Sequence, residues 1–281
     1  MIIVTLNDNS KVEYNTFDEI VEHDKIVKLD CSGNYLPFLP DSISNLINLT
    51  TLNCSYNELS SLPESIGCLI NLKKLNCHNN ELSLLPESIG GLINLKKLNC
   101  DENQLTELPE SIGNLTNLKT LNCCCNNLIA LPESICDLIN LKYFYCSCNQ
   151  LTSLSDFIGN LINLENLYCS KNKLTSLPES IGNLINLENL YCVDNKLTLL
   201  PESIENLISL KVLCCFNNQI KWLPETIINL KNIEYFYNDT LKLTPQQERY
   251  FKWIKSNKSY PFDEYVDVTL VKCAHFGVHD I

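Results

Sequence analysis

The chain has 281 residues, 45% of them hydrophobic and 19% charged, with a formal net charge of −12. This balance suits an ordered protein and excludes both a disordered chain and a general binder of nucleic-acid phosphates, which needs a basic surface. The 16 cysteines could suit a secreted disulfide scaffold, but Met1 to Asp8 carry neither a basic segment nor a long apolar run, and no stretch approaches the roughly 18 apolar residues of a membrane span.

The first 25 residues are expected to form a cap. Ile2–Leu6 and Lys11–Tyr14 alternate as the two strands of a hairpin around Asn7-Asp8-Asn9-Ser10. A short helix is predicted from Thr16 to Glu22, with Thr16 and Glu19 at capping-box spacing.

Residues 26–243 are an internal repeat of nine regular units and one degenerate unit. Cysteine recurs at Cys31, Cys54, Cys77, Cys100, Cys123, Cys146, Cys169, Cys192 and Cys215, a step of 23 residues, and an asparagine follows each by three positions. The frame is L-x-x-L-x-C-x-x-N-x-L, as in Leu72, Leu75, Cys77, Asn80 and Leu82. Apolar and polar residues alternate through Lys74–His78, which predicts a short strand with one buried face. Successive strands should stack in parallel about 4.8 Å apart. The second half of the unit reads L-P-E-S-I-G, as at Leu108–Gly113. It predicts a helical turn with proline at the first helical position and glutamate at the positive end. In the unit at 86–95, Ile89, Leu92 and Leu95 should point inward, and Asn94 should leave the turn in a left-handed conformation.

Residues 244–281 are expected to cap the other end. Asn238 stands where the ladder cysteine would be, Thr244 should N-cap a helix running to about Ser256, and Tyr265–Val271 alternates like a strand.

These motifs resemble the leucine-rich-repeat family. The L-P-E-S-I-G-x-L-x-N-L half narrows the likeness to the 23-residue intracellular class of Ras-suppressor proteins and the plant Ras-group proteins. The wealth of Cys and Asn resembles repeat proteins of amoeba-infecting giant viruses. The resemblance implies an α/β solenoid, a horseshoe with a parallel concave sheet and short convex helical turns, capped at both ends. It further implies a non-catalytic protein-interaction scaffold in the cytoplasm, including that of a virus-infected host cell. A small GTPase or phosphatase becomes a candidate partner, although the shared residues are framework positions. In such proteins the asparagine column, here Asn57, Asn80, Asn103, Asn126, Asn149, Asn172 and Asn195, is a structural ladder that satisfies buried backbone groups.

One residue between the inward Leu and Cys of each coil should face solvent. That column reads Asp30, Asn53, Asn76, Asn99, Asn122, Tyr145, Tyr168, Tyr191, Cys214 and Tyr237, with Tyr143, Phe216 and Tyr235 in neighbouring columns. Clustered exposed aromatics mark interfaces, so these tyrosines and Phe216 are the candidate partner-binding residues. The competing account is a tyrosine ladder that stacks on itself without a partner.

Other features have plainer readings. The cysteine column fits a small apolar filler, since strand spacing exceeds the ~3.8 Å Cβ separation of a disulfide. The acidic column of the turns, Asp41, Glu64, Glu87, Glu110, Glu133, Asp156, Glu179, Glu202 and Glu225, fits a solvated face that also suits helix N-termini, the alternative being a docking stripe for a basic partner. Ile47, Ile70, Ile93, Ile139, Ile162, Ile185 and Ile208 fit partial burial between turns. His78, Asp101 and Cys124, with Glu102, Cys125 and Cys148 beside them, should form an exposed polar rim. A metal or redox site there lacks a C-x-x-C pair. Cys273, His275 and His279 lie in a tail too short to build both a core and a catalytic site. No catalytic residue, cofactor or metal is therefore expected. The remaining alternative is a structural or decoy repeat without a tight partner. At 154–159, Ser155 and Phe157 replace the usual proline and serine, which predicts a looser turn with an exposed ring.

Overall fold

The computed structural model describes residues 1–237 and 242–257. The array divides into two compact units, Met1–Leu141 and Lys142–Ile281.

In the first unit the strands are β1 (Ile2–Leu6), β2 (Lys11–Tyr14), β3 (Ile26–Asp30), β4 (Thr51–Asn53), β5 (Lys74–Asn76), β6 (Lys97–Asn99) and β7 (Thr120–Asn122). β3 to β7 pair in parallel, each with the strand one coil away. Leu52 lies opposite Leu75 and Leu75 opposite Leu98, so the register equals the sequence repeat. Leu29, Leu52, Leu75, Leu98 and Leu121 fill the core beneath this sheet at 1% exposure or less. A slip by one residue would turn all of them to solvent, and that fixes the register.

β1 closes the first edge, pairing antiparallel with both β3 and β2. β2 is the outer strand, and its exposed Lys11 and Glu13 discourage further edge pairing. The helix expected from Thr16 to Glu22 is instead two short 3-10 turns, Phe17–Glu19 and His23–Lys25, separated by Glu22 at φ 56°. Thr16 makes no side-chain cap. Glu19 accepts a hydrogen bond from the Asn15 N–H at 2.8 Å, one residue earlier than the capping box requires.

In the second unit β8 (Tyr143–Tyr145), β9 (Asn166–Tyr168), β10 (Asn189–Tyr191), β11 (Val212–Cys214) and β12 (Tyr235–Tyr237) pair in parallel in the same register. Phe144, Leu167, Leu190 and Leu213 are fully buried under them. Helix α1 (Pro245–Asn257) closes this end. Thr244 and Gln247 form a reciprocal cap: the Gln247 N–H donates to Thr244 Oγ1 at 3.3 Å, and the Thr244 N–H donates to Gln247 Oε1 at 3.0 Å. The Gln247 amide also donates to the carbonyls of Leu223 and Pro224, while Phe251 stacks on Phe236 at 4.7 Å. Asn238, Tyr265–Val271, Cys273, His275 and His279 lie outside the described residues.

The turns opposite the strands are 3-10, not α-helical. In the turn Glu87–Gly91 the proline is the N-cap residue rather than the first helical one. Pro86 is extended at φ −67° and ψ 149°, and its carbonyl accepts the Ile89 N–H at 3.0 Å. The bonds of this turn are i→i+3, from the Ile89 N–H to Pro86 and from the Leu92 N–H to Ile89, and that pattern makes it tighter than an α-helix. Glycine is needed where adjacent turns touch: a Cβ on Gly113 would lie 2.7 Å from the Ser134 carbonyl oxygen.

Asn94 does not adopt the left-handed conformation. Its amide reaches back to the Ile70 carbonyl of the preceding coil at 2.9 Å, as Asn71 does to Ile47, Asn117 to Ile93 and Asn186 to Ile162. This is a second asparagine ladder. Left-handed residues occur instead two positions after the ladder cysteine: Gly33, Tyr56, Asn79, Glu102 and Cys125 in the first unit, Cys148, Lys171, Asp194 and Asn217 in the second. There the chain leaves the strand, and the N–H still finds the next coil, as from Tyr56 to His78 at 2.9 Å and from Lys171 to Val193 at 2.8 Å.

The first asparagine ladder and the cysteine ladder satisfy the buried backbone between coils. Asn80 donates to the carbonyls of Cys54, Cys77 and His78 and accepts the Leu59 N–H at 3.0 Å. Asn57, Asn103, Asn126, Asn172 and Asn195 likewise bond two carbonyls of their own coil and one of the coil before, and Asn149 bonds Cys146 and Ser147 of its own. The cysteines are more than filler. Cys77 Sγ lies 3.3 Å from the Asn99 carbonyl, and Cys54, Cys100 and Cys169 repeat the contact with the next coil.

A candidate protein-interaction surface

Because β8 to β10 pair in register, Tyr145, Tyr168 and Tyr191 stand side by side on the outward face of the second unit's sheet. Strand spacing of about 4.8 Å suits stacked rings. The Tyr145 and Tyr168 centroids are 5.0 Å apart at 38°, and those of Tyr168 and Tyr191 are 4.5 Å apart and nearly parallel at 7°. Full solvent exposure was expected for this column, yet the rings are half-buried, because each covers a face of its neighbour. Burial raises the pKa of the Tyr168 hydroxyl. Cys214 follows in the column and is only 2% exposed, a short thiol shaded beside a tall ring. Its pKa is strongly raised by that burial and by the neighbouring Cys215.

Tyr143, Phe216 and Tyr235 are half-buried in adjacent columns. Tyr237 ends β12, and its side chain lies outside the described residues. Beside Tyr143 is a charged group that alternation alone did not suggest. Lys142 Nζ is 2.5 Å from Glu165 Oε1, and the Tyr143 hydroxyl also bonds Glu165. The hydrogen bond from Lys142 lowers the Glu165 pKa, and the bond to Glu165 raises that of Tyr143. One coil further, Lys211 pairs with Glu188 at 2.8 Å. The available signal was opposite charge one repeat apart, Lys142 before Glu165 and Glu188 before Lys211.

In the first unit the equivalent outward column is Asp30, Asn53, Asn76, Asn99 and Asn122. These side chains form their own chain of bonds: Asn53 donates to Asp30, and Asn76 to Asn53, both at 3.1 Å.

The polar rim expected at His78, Asp101 and Cys124 is not exposed; the three are 8%, 5% and 4% accessible. Strand alternation ends at Asn76, and the left-handed residue that follows folds this column under the chain. His78 Nδ1 lies 2.6 Å from Asp101 Oδ1, and the edge of the His78 ring meets Tyr56 at 4.8 Å. Burial alone would lower the His78 pKa, but the bond and charge of Asp101, with Glu102 beyond, raise it above 6.5. No group of three or more metal-ligating side chains comes together among the described residues.

The buried thiols are poor nucleophiles. Burial pushes Cys31, Cys77 and Cys169 up to about 12, so they stay protonated near neutral pH. The isoleucine column is more open than partial burial between turns suggests: Ile47, Ile70 and Ile93 are 56%, 53% and 53% exposed. Among the described residues no helix is long and apolar enough to cross a membrane.

Known proteins agree with this architecture. A family model described as a leucine-rich repeat region matches residues 86–190, and one described as a leucine-rich repeat matches 48–69 and 71–92. A comparison with curated proteins finds no match. Among solved structures, a leucine-rich-repeat protein of Leptospira interrogans is 36% identical with a TM-score of 0.71, the match covering 79% of this chain and 63% of that one. A TDR receptor is 27% identical with a TM-score of 0.72, covering 80% and 41%. The structure of PEPR1-AtPEP1 is 28% identical with a TM-score of 0.60, covering 73% and 34%. The chain thus spans less than two thirds of the length of each of these neighbours. With the 23-residue register, the buried Leu, Cys and Asn ladders and both family models in agreement, the chain belongs to the leucine-rich-repeat family.

Proposed function

We propose that this protein is a non-catalytic interaction scaffold that holds a protein partner against the outward sheet face of its second unit. The observation that carries the reading is the stack of Tyr145, Tyr168 and Tyr191. Three rings in contact give a broad, rigid, half-apolar surface whose ordering cost has been met by folding, and tyrosine is enriched among residues that dominate binding energy. Leucine-rich-repeat proteins generally serve as interaction scaffolds, and the neighbour PEPR1 was solved together with AtPEP1. Tyr143, Phe216, Tyr235 and Tyr237 would form the margin of the surface. The Ras-group framework makes a small GTPase or phosphatase the first partner class to try. The same resemblance suggests a cytoplasmic setting, including that of an infected host cell.

The test begins with partner capture from lysate, followed by titration of the captured protein. Tyr145→Ala and Tyr168→Ala should each weaken binding by about 2 kcal/mol or more, whereas Asn76→Ala in the first unit should cost less. Unchanged binding by a Tyr145/Tyr168 double variant that retains its fold would leave the tyrosines as a self-stacked ladder.

A further inference from the structure

The first unit carries charge in a pattern that folding does not require. Lys73, Lys96 and Lys119 precede the strands of three successive coils, and their backbones are linked coil to coil by 2.8 and 2.9 Å hydrogen bonds. Lys74 and Lys97 sit opposite each other in β5 and β6. The first three are exposed and the other two half-buried. None has an ion-pair partner among the described residues. The contrast with the second unit is direct. In the column of Lys73, Lys96 and Lys119, that unit places Lys142, Glu165, Glu188, Lys211 and Glu234, and there four of the five charges neutralise in two pairs.

Like charges directly opposite each other in a sheet are destabilising. A chain with a net charge of −12 has ample carboxylates with which to balance them. Here they are placed elsewhere: the turn glutamates Glu64 and Glu87 bond the backbone N–H of Ser88 and Ser111 in the following coil, and Glu102 bonds Asn79 at 2.8 Å. The exposed residues two positions before Lys73, Lys96 and Lys119, namely Asn71, Asn94 and Asn117, are neutral. The result is a local strip of five ammonium groups on an otherwise acidic protein. Three coils at strand spacing make it about 10 Å long.

We propose that Lys73, Lys74, Lys96, Lys97 and Lys119 form a docking strip for a short, carboxylate-rich segment of a protein partner. The strip is too short to follow a nucleic-acid backbone, and the surrounding negative charge would repel the remainder of such a polymer. Lysine is a mobile point charge without the planar fork that favours bidentate phosphate recognition, which suits several carboxylates at variable spacing. The surface lies wholly in the first unit and does not depend on the tyrosine stack.

The test measures fluorescence anisotropy of a labelled ten-residue glutamate peptide with the full chain. A glutamine peptide and a DNA oligonucleotide of equal length serve as comparisons. The glutamate peptide should bind, weaken as ionic strength rises, and lose about 10-fold or more in affinity when Lys73→Glu, Lys96→Glu and Lys119→Glu are combined. The milder triple Lys→Gln variant, with its melting curve recorded, separates lost binding from lost folding. Lys231→Glu, an exposed site in the second unit, and Tyr168→Ala should leave peptide affinity unchanged. Four results would overturn the proposal: no binding of the glutamate peptide, equal loss with Lys231→Glu, equal or tighter binding of the oligonucleotide, or a concentration-dependent dimer that the triple variant abolishes while the peptide fails to bind.

Discussion

Leu167 and Tyr168 are consecutive residues of β9 with opposite environments: the leucine is fully buried and the tyrosine stands between two rings on the open face. Leu167→Ala removes buried methyl groups and leaves a cavity between coils, so it should cost about 2–5 kcal/mol of stability. Tyr168→Ala opens no cavity but breaks two ring contacts, each worth about 0.5–1.5 kcal/mol, and should cost about 1–3 kcal/mol, less than the leucine. Urea melts of the two variants check the order; equal costs would mean that the rings are part of the core. At His78 the consequence depends on pH. The folded pKa is raised above 6.5 by Asp101. The stabilisation is therefore complete below that unfolded value and is lost as pH rises through the higher folded value. The melting temperature of the native chain minus that of His78→Gln should be larger near pH ~5.5 than near pH ~8.5. A gap that widens with pH would refute this sign.

Among the turns, one element departs from its siblings. Where the others run five residues from an extended proline, as in Glu133–Asp137 after Pro132, the turn after Ser155 shortens to Ile158–Asn160. Phe157 serves as its N-cap at φ −88° and ψ 2°, and its ring is 56% exposed. Ser155 compensates in part, its hydroxyl accepting the Phe157 N–H at 3.1 Å and its carbonyl the Ile158 N–H at 3.0 Å. A hydroxyl does not restrict φ as the proline ring does, so this turn should open more readily. Hydrogen exchange of the amides at 156–160 should run on the order of 10-fold faster than at 133–137. Equal protection would show that the serine bonds replace the proline fully.

At the scale of the whole chain, the parts legible in the sequence were those that repeat. A 23-residue step that places Leu75 beneath Leu98 also positions the strands, the buried cysteines and the asparagine ladder, because every coil solves the same packing problem. What escaped depends on single backbone angles or on neighbouring coils. Alternation could not reveal that a left-handed residue at Asn79 buries His78, nor that proline precedes a 3-10 turn instead of opening an α-helix. Of the candidate surface, the tyrosine column was legible, but its half-burial required the next ring at 4.5 Å. The in-register pairing of each strand only with its neighbours has a mechanical consequence. Pulled by its N-terminus, the stack of coils from β3 to β6 has no strand pairing beyond nearest neighbours that would make it yield all at once. Once the β1–β2 edge is stripped, it should unravel coil by coil, each rupture releasing one repeat, about 80 Å of extended chain. Optical-tweezer traces should show a regular staircase of that step, and a single long rip would mean that the coils share strength well beyond their nearest neighbours.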